Sequence, residues 1–305
     1  MASRRQRGAR EGQGAPANDS ALRLGISGMT GMVAVALMLS GCSSTTVAVR
    51  STTSSTPTSI STTTLPPTTS TSTSTTTTAP TVPPGRPLTG MVVGIDPGHN
   101  GRNYTDAGYL NQQVFNGRTM ESCDTTGTQT DAGYPEHEFA FNVARHLRAA
   151  LTKEGAVVVM TRLDNAGLGP CIDQRAKILN DAKSNVAIDI HADGGPAGGR
   201  GFAILEPVPD GINDAIVGPS ATLGADVQAA FLSGTGMPIS TYDGTNGVAP
   251  RSDLAGLNLA TEPKVLIECG NMRNATDAAM LSSESFQRAA ALSLAQAITT
   301  YLTRQ

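Results

Sequence analysis

Residues 186–193 read Val-Ala-Ile-Asp-Ile-His-Ala-Asp, and this stretch decides the fold class of the chain. Its first part, Val186–Ile190, is a short apolar run rich in β-branched residues, which predicts a buried strand. Its polar end, which contains His191, predicts that functional side chains follow that strand. Four other runs have a similar composition: Met91–Ile95, Ala156–Met160, Gly201–Leu205 and Lys264–Glu268.

Helical patterns lie between these strands. From Glu136 to Leu151 the apolar side chains recur every four residues and form one face, and Pro135 suits the first turn. Three further stretches have similar patterns: Cys171–Ala182, Ser220–Leu232 and Glu284–Leu302. Strands that alternate with helices predict a single α/β sandwich domain.

The first 42 residues have the pattern of an export signal. An Arg-rich start leads to a mostly apolar run from Leu24 to Gly41, which predicts a secretory signal. The ending Leu39-Ser40-Gly41-Cys42 resembles a bacterial lipobox, in which Cys42 carries lipid; the alternative is an uncleaved anchor helix. Both interpretations export the rest of the chain.

Residues 43–87 are predicted to form a disordered tether. From Ser43 to Thr81, 28 of 39 residues are Ser or Thr. Such a segment buries almost nothing and cannot offset the entropy cost of folding. The folded domain is therefore expected over residues 88–305.

Composition and charge exclude several classes of function. The chain of 305 residues has no Trp and 4% aromatic residues, which argues against an aromatic-lined sugar groove. Its apolar content of 39% excludes a multi-span membrane protein. Residues 88–305 carry 15 basic and 23 acidic side chains without a basic run, so we expect no nucleic-acid partner.

Three cysteines remain if Cys42 is lipidated. Cys123 and Cys171 both lie in loop-like sequence of an exported domain, where a crosslink stabilises most, so we predict a disulfide between them. The alternatives are two free thiols or a metal role, although the short paired spacing of a zinc cysteine site is lacking. Cys269 follows an apolar run and is predicted to be buried as a small hydrophobic residue.

Polar residues end three of the predicted strands. The first strand leads into Asp96-Pro97-Gly98-His99, another into His191, and the last into Glu268. Such groups are costly to place at strand ends without partners. Two histidines and a carboxylate from separate elements fit a catalytic zinc site with an open fourth position.

The order and spacing of these motifs resemble a known family. Asp96-Pro-Gly-His-Asn-Gly, a Glu that opens a helix, Ile190-His-Ala-Asp and Glu268-Cys-Gly are similar to the zinc-dependent N-acetylmuramoyl-L-alanine amidases, the peptidoglycan amidases of type 3. The resemblance runs from about Leu88 to Gln305. It implies a sandwich around a central mixed, mostly parallel sheet flanked by helices.

The resemblance also implies one zinc ion per domain. His99 and His191 match its two histidine ligands, and the carboxylate ligand is either Glu136 or Glu138. The family pattern places apolar residues at +3, +5, +7 and +11 from the ligand and a small residue at +8. Glu136 fits this pattern better than Glu138 does.

The resemblance assigns catalysis to Glu268. This carboxylate would take a proton from zinc-activated water and pass it to the leaving amine. The alternative is a structural ion pair with Arg251 or Arg273. Arg251 itself matches a basic position near the substrate groove, with a structural salt bridge as its alternative, and Asp189 either orients His191 or is a buried, hydrogen-bonded acid.

The implied reaction is hydrolysis of the amide between N-acetylmuramic acid and the L-alanine of the stem peptide. Two alternatives remain: a zinc peptidase acting on stem peptides, and an inactive wall-binding regulatory lipoprotein. The expected partners are peptidoglycan or muropeptides, with membrane contact only through the lipid anchor. We expect a monomer in the bacterial cell envelope, anchored outside the cytoplasm.

Overall fold

The five apolar runs form five of the six strands of the main sheet in the computed structural model, which describes residues 85–304. The strands are β1 (Val92–Pro97), β2 (Gln113–Phe115), β3 (Met120–Ser122), β4 (Val157–Met160), β5 (Val186–Asp193), β6 (Ala203–Pro207), β7 (Val248–Arg251) and β8 (Lys264–Asn271). The helices are α1 (Ala107–Leu110), α2 (Glu136–Glu154), α3 (Ile172–Asp181), α4 (Asp214–Thr235), α5 (Ala255–Asn258), α6 (Ala275–Leu281) and α7 (Glu284–Thr303), with a 3₁₀ turn at Asn103–Thr105. The predicted signal of residues 1–42, its Cys42 and residues 43–84 of the stalk lie outside the described residues.

The sheet is mixed and mostly parallel, which confirms the predicted fold class. Its strand order is β4-β1-β5-β8-β6-β7. Only the β6–β8 pair is antiparallel; the other four pairs are parallel. Strand β7, which the apolar runs did not predict, is a four-residue edge strand that contains Pro250, a residue that sheets tolerate at their edges.

The two faces of the sheet have different chemistry. Because side chains alternate along a strand, Ile95 and Ile188 point to one face and Asp96 and Asp189 to the other. The first face packs under α2, α4 and α7 and holds the main apolar core. The second face packs under α3 and α5 and carries buried charged groups.

The helices largely follow the predicted patterns. Helix α2 begins at the predicted Glu136 and runs three residues beyond Leu151, to Glu154. Gly155 caps its C-terminal end with a left-handed φ of 105°. Helix α4 begins six residues before the predicted Ser220 and contains Pro219. Within the part of the chain described, no helix combines the length and the apolar character needed to cross a bilayer.

Candidate metal centre

Three side chains from separate elements meet at the carboxyl ends of the parallel strands. His99 follows β1, His191 lies near the end of β5, and Glu136 is the first residue of α2. Glu136 Oε2 lies 3.1 Å from His99 Nε2, and Glu136 Oε1 lies 2.8 Å from His191 Nδ1. One potential ligand atom from each residue can be chosen so that all three lie within 4.8 Å of one another.

The structure separates the two candidate carboxylates. Glu136 is buried, and its carboxylate accepts backbone N–H groups from Thr128 at 2.9 Å and Ala192 at 3.2 Å. Glu138, two residues further along α2, is exposed and does not belong to the cluster. Glu136 is therefore the carboxylate that the fold brings to the two histidines.

The electrostatics of the cluster favour a cation. Burial disfavours a charged imidazole, yet the Glu136 and Asp124 carboxylates raise the pKa of His99 to about 10. Burial likewise opposes ionisation of Glu136, but His99 and His191 keep the pKa of that carboxyl well below its ordinary value. Two imidazole nitrogens and one carboxylate oxygen are the donor set of a catalytic zinc site, so these residues fit a zinc ion.

Glycines allow the histidines to come close together. The ring centroids of His99 and His191 are 4.9 Å apart, and the rings are nearly perpendicular. A Cβ at Gly98 would lie 2.2 Å from the His191 ring, so no other residue fits there without displacing that ring. His99 has a φ of 57°, which places this residue in the left-handed region and marks a tightly constrained turn.

A buried arginine fixes the turn that carries His99. Arg175 of α3 donates to the carboxylate of Asp96 at 2.5 Å and to the backbone carbonyl of His99 at 2.7 Å. It also donates to Asn100 Oδ1 at 2.9 Å and contacts Asp124 Oδ2 at 3.2 Å. Arg162 donates to the neighbouring backbone carbonyls of Pro97 and Gly98. Two guanidinium groups therefore hold the backbone of the turn that leads to His99.

Asp124 contacts His99 on the side away from Glu136. Its Oδ1 lies 3.3 Å from His99 Nδ1, the second nitrogen of that imidazole. A carboxylate in this position sets the tautomer and orientation of a metal-binding imidazole. The predicted disulfide between Cys123 and Cys171 is present directly beside Asp124, and it joins this loop to the first turn of α3.

Glu268 lies beside the cluster on strand β8, directly opposite His191 in the register. Its Oε2 is buried and has no hydrogen-bond partner among the described residues. Burial, followed by the charges of Glu136 and Asp193, raises the pKa of Glu268 well above its ordinary value. A carboxyl in this state is suited to giving and taking protons.

Comparison with known proteins agrees with this arrangement. Residues 93–300 match the family model described as N-acetylmuramoyl-L-alanine amidase. The chain belongs to this amidase family.

Named relatives cover nearly all of the folded part. The chain is 41% identical to N-acetylmuramoyl-L-alanine amidase Rv3717 of Mycobacterium tuberculosis over 72% of its own length and 89% of the relative. The crystal structure of the amidase Ami1 from Mycobacterium smegmatis matches with a TM-score of 0.68 and 41% identity, over 72% of this chain and 99% of that one. Ami1 from Mycobacterium abscessus matches with a TM-score of 0.67 and 44% identity, over 70% and 100%.

The remaining predicted site residues of the amidase have other partners. Arg251 forms a two-point salt bridge with Asp253, with distances of 2.8 and 2.6 Å, and Arg273 lies 3.1 Å from Asp131. Neither arginine forms an ion pair with Glu268 in the described region, so the alternative structural explanation for Glu268 lacks support.

Asp189 and Cys269 lie in the interior. Asp189 Oδ1 is 3.0 Å from Lys264 Nζ, whereas the Nδ1 of His191 contacts Glu136, so the buried acid is the interpretation that the contacts favour. Burial and then the charge of Glu268 raise the pKa of the Cys269 thiol well above its ordinary value, which makes it unreactive.

Proposed function

We propose that this amidase is a zinc hydrolase that cleaves the amide between N-acetylmuramic acid and the L-alanine of the stem peptide. The observation that carries the proposal is the His99–Glu136–His191 cluster, in which Glu136 is buried, with a Glu268 oxygen beside it that has no hydrogen-bond partner among residues 85–304. The family membership supplies the substrate class.

The residues of the site have three roles: metal binding, proton transfer and orientation of a metal-binding histidine. His99, Glu136 and His191 would hold the zinc ion, which when bound activates water and polarises the scissile carbonyl. Glu268 takes a proton from the attacking water and passes it to the amine of L-alanine as the C–N bond breaks. Asp124 and Arg175 fix the orientation of His99.

We propose that the domain works outside the cytoplasm on a tether. The signal-like residues 1–42 and the Ser/Thr-rich residues 43–87 support export, and lipid on Cys42 would hold the enzyme at the membrane of the cell envelope. The function then lies in wall remodelling, cell separation or fragment turnover, by a monomer. Arg251 remains a candidate for substrate binding beside the cleft.

The test is product analysis with purified protein. We would incubate it with a muropeptide, with and without a zinc chelator, and identify the products by mass spectrometry. The expected product is a free stem peptide that begins with L-alanine, abolished by chelator and restored by zinc. Cleavage inside the peptide would favour the peptidase alternative, and a fully zinc-loaded protein without turnover would favour the regulatory one.

Matched variants assign the roles. Glu268→Gln is expected to keep zinc binding and lose turnover by a factor of about 10² to 10⁴, which is the usual effect of removing a general base. Glu136→Gln is expected to weaken zinc binding itself. Glu138→Gln, the same change at an exposed position of the same helix, should leave both quantities unchanged.

A further inference from the structure

Two cavities, each of about 420 Å³, adjoin the metal cluster and differ in chemistry. The first, called the Tyr104 cavity, is lined among others by Tyr104 and Gln129. The second, called the Leu254 cavity, is lined among others by Leu254 and both histidine ligands. A substrate whose scissile bond lies at the cluster must place its two halves in different surroundings.

The Tyr104 cavity offers hydrogen bonds without charge. Its polar lining residues include Asn100, Thr126, Thr128, Gln129 and His137, and none of its lining residues is an Asp, Glu, Lys or Arg. Tyr104, which is 74% exposed, adds a free aromatic face. Neutral polar groups beside an aromatic ring suit a sugar, which presents hydroxyl groups around an apolar C–H face.

The Tyr104 cavity reaches the metal cluster through Gly127. A Cβ at this residue would lie 2.8 Å from both Glu136 Oε2 and His99 Cδ2. Gly127 has a φ of 70°, so the conformation as well as the space favours glycine. A group bound in the cavity is therefore separated from the metal ligands by a single backbone segment.

The Leu254 cavity has aliphatic walls and an acidic mouth. Ile172, Leu254, Ala255 and Leu266 form much of its wall. The charges at its base are paired, since Arg175 contacts Asp96 and Lys264 contacts Asp189.

The carboxylates at this mouth differ in their partners. Asp253 is neutralised by Arg251, while Glu121 has no cation within 4 Å among residues 85–304. A carboxylate of the substrate that entered here would meet an uncompensated negative charge.

We propose that the Tyr104 cavity binds the glycan side of the substrate and the Leu254 cavity binds the stem peptide, with Glu121 favouring peptides whose carboxyl groups are amidated. This inference rests on the proposed amidase function. The aliphatic walls fit peptide side chains, and the uncharged cavity fits the sugar. Tyr104 and Glu121 are binding residues that set specificity, and neither contacts the reacting atoms.

The first arm of the test varies the glycan at constant peptide. N-acetylmuramoyl dipeptide is compared with the same dipeptide on a tetrasaccharide. Tyr104→Ala is expected to lower kcat/KM for the longer glycan by up to about tenfold, through KM with kcat retained, because an aromatic contact is lost. Phe115→Ala removes another exposed ring, one that lines neither cavity, and should change nothing.

The second arm varies the peptide at constant glycan. Two N-acetylmuramoyl dipeptides differ only in a free carboxyl or a carboxamide on the second residue. The unmodified enzyme is expected to prefer the carboxamide by about fivefold, the size expected for one partly screened like-charge contact. Glu121→Gln should bring that ratio close to one, and the control Glu284→Gln, on the exposed surface, should preserve it.

The two arms separate the possible failures. Support requires that each variant changes only its own substrate series. If Tyr104→Ala alters the carboxyl preference and Glu121→Gln alters the glycan dependence, the orientation is reversed and the inference is wrong. If neither variant shifts its ratio while cleavage persists, the inference fails and the proposed function stands. If the unmodified enzyme cleaves none of the four substrates, the proposed function fails as well.

Discussion

Removal of the Arg175 guanidinium tests whether the turn that carries His99 depends on a buried ion pair. Arg175 is 3% exposed and Asp96 is 5% exposed, so neither charge has water as an alternative partner. Arg175→Met keeps most of the aliphatic volume and removes every donor. Its effect should appear both in the stability of the fold and in the zinc affinity of the site.

The magnitude follows from the charges left behind. Breaking a buried ion pair by removing one partner costs about 3–5 kcal/mol, because the other charge stays uncompensated. Arg175 is a principal reason that the pKa of Asp96 lies at about 2 rather than 3.8 despite burial. That difference corresponds to about 2 kcal/mol. Asp96→Asn is expected to lose about this amount, less than Arg175→Met does, because Arg175 keeps Asp124 as a partner at 3.2 Å.

A double-mutant cycle tests the coupling between the two residues. With Asp96→Asn in the background, Arg175→Met should cost at least 1 kcal/mol less than it does alone, since one uncompensated carboxylate is gone. The assay is urea unfolding of metal-free protein with the disulfide intact, followed by circular dichroism. Arg148→Met, at an exposed position of α2, is the matched control. Additivity within about 0.5 kcal/mol, or a loss below about 1 kcal/mol for Arg175→Met, would refute the reasoning.

Three other predictions concern the neighbouring residues. Asp124→Ala should weaken zinc binding about 10- to 100-fold in competition with a chromophoric chelator, because His99 loses the partner of its second nitrogen, and an unchanged affinity would contradict this role. Replacing Cys123 and Cys171 by Ala should lower the free energy of unfolding by about 2–4 kcal/mol, measured by urea titration. A loss below about 1 kcal/mol would contradict a stabilising role of this disulfide. The stabilisation from ionised Asp96 should be complete above about pH 4 and disappear as the pH falls through about 2, so the gap between unmodified protein and Asp96→Asn should close over that range.

The fold was largely predictable because its central strands are apolar runs with little polar interruption. Val186–Ile190 and Lys264–Glu268 lie side by side in the middle of the sheet, where both faces are covered. Strand β7 gave no such signal, since its four residues include Pro250 and its pairing depends on β6 alone. The short hairpin of β2 and β3 has only three residues in each strand, too few for a periodic pattern.

The resemblance favoured Glu136 over Glu138, and helix geometry explains why the pattern fits. Glu136, Phe139, Val143 and Leu147 are separated by three or four residues and so share one face, which the structure buries. Glu138 lies about 200° away around the helix and reaches solvent. The carboxylate that the family pattern favoured therefore lies on the apolar, buried face of α2.

The supporting residues were missed for a different reason. Arg175 lies three residues after Ile172 and four before Leu179, so its position on the inner face of α3 could have been noticed from spacing. Asp124 lies in a loop, where no periodicity relates it to His99. The predicted disulfide at Cys123 was the only sequence feature that placed that loop near α3. It could not specify that Asp124 is the side chain that contacts His99.

The two faces of the sheet explain how a charged site is compatible with a stable domain. The charged pairs Asp96–Arg175 and Asp189–Lys264 lie on the same face of the sheet as His191 and Glu268, and Asp189 lies two residues before His191 on β5. Buried ion pairs add little net stability, because desolvation offsets their attraction. The apolar face under α2, α4 and α7 must therefore supply most of the folding free energy. The charged pairs contribute orientation instead. Each connects a strand that leads to a candidate site residue to a second element, so the positions of His99, His191 and Glu268 are fixed by the fold.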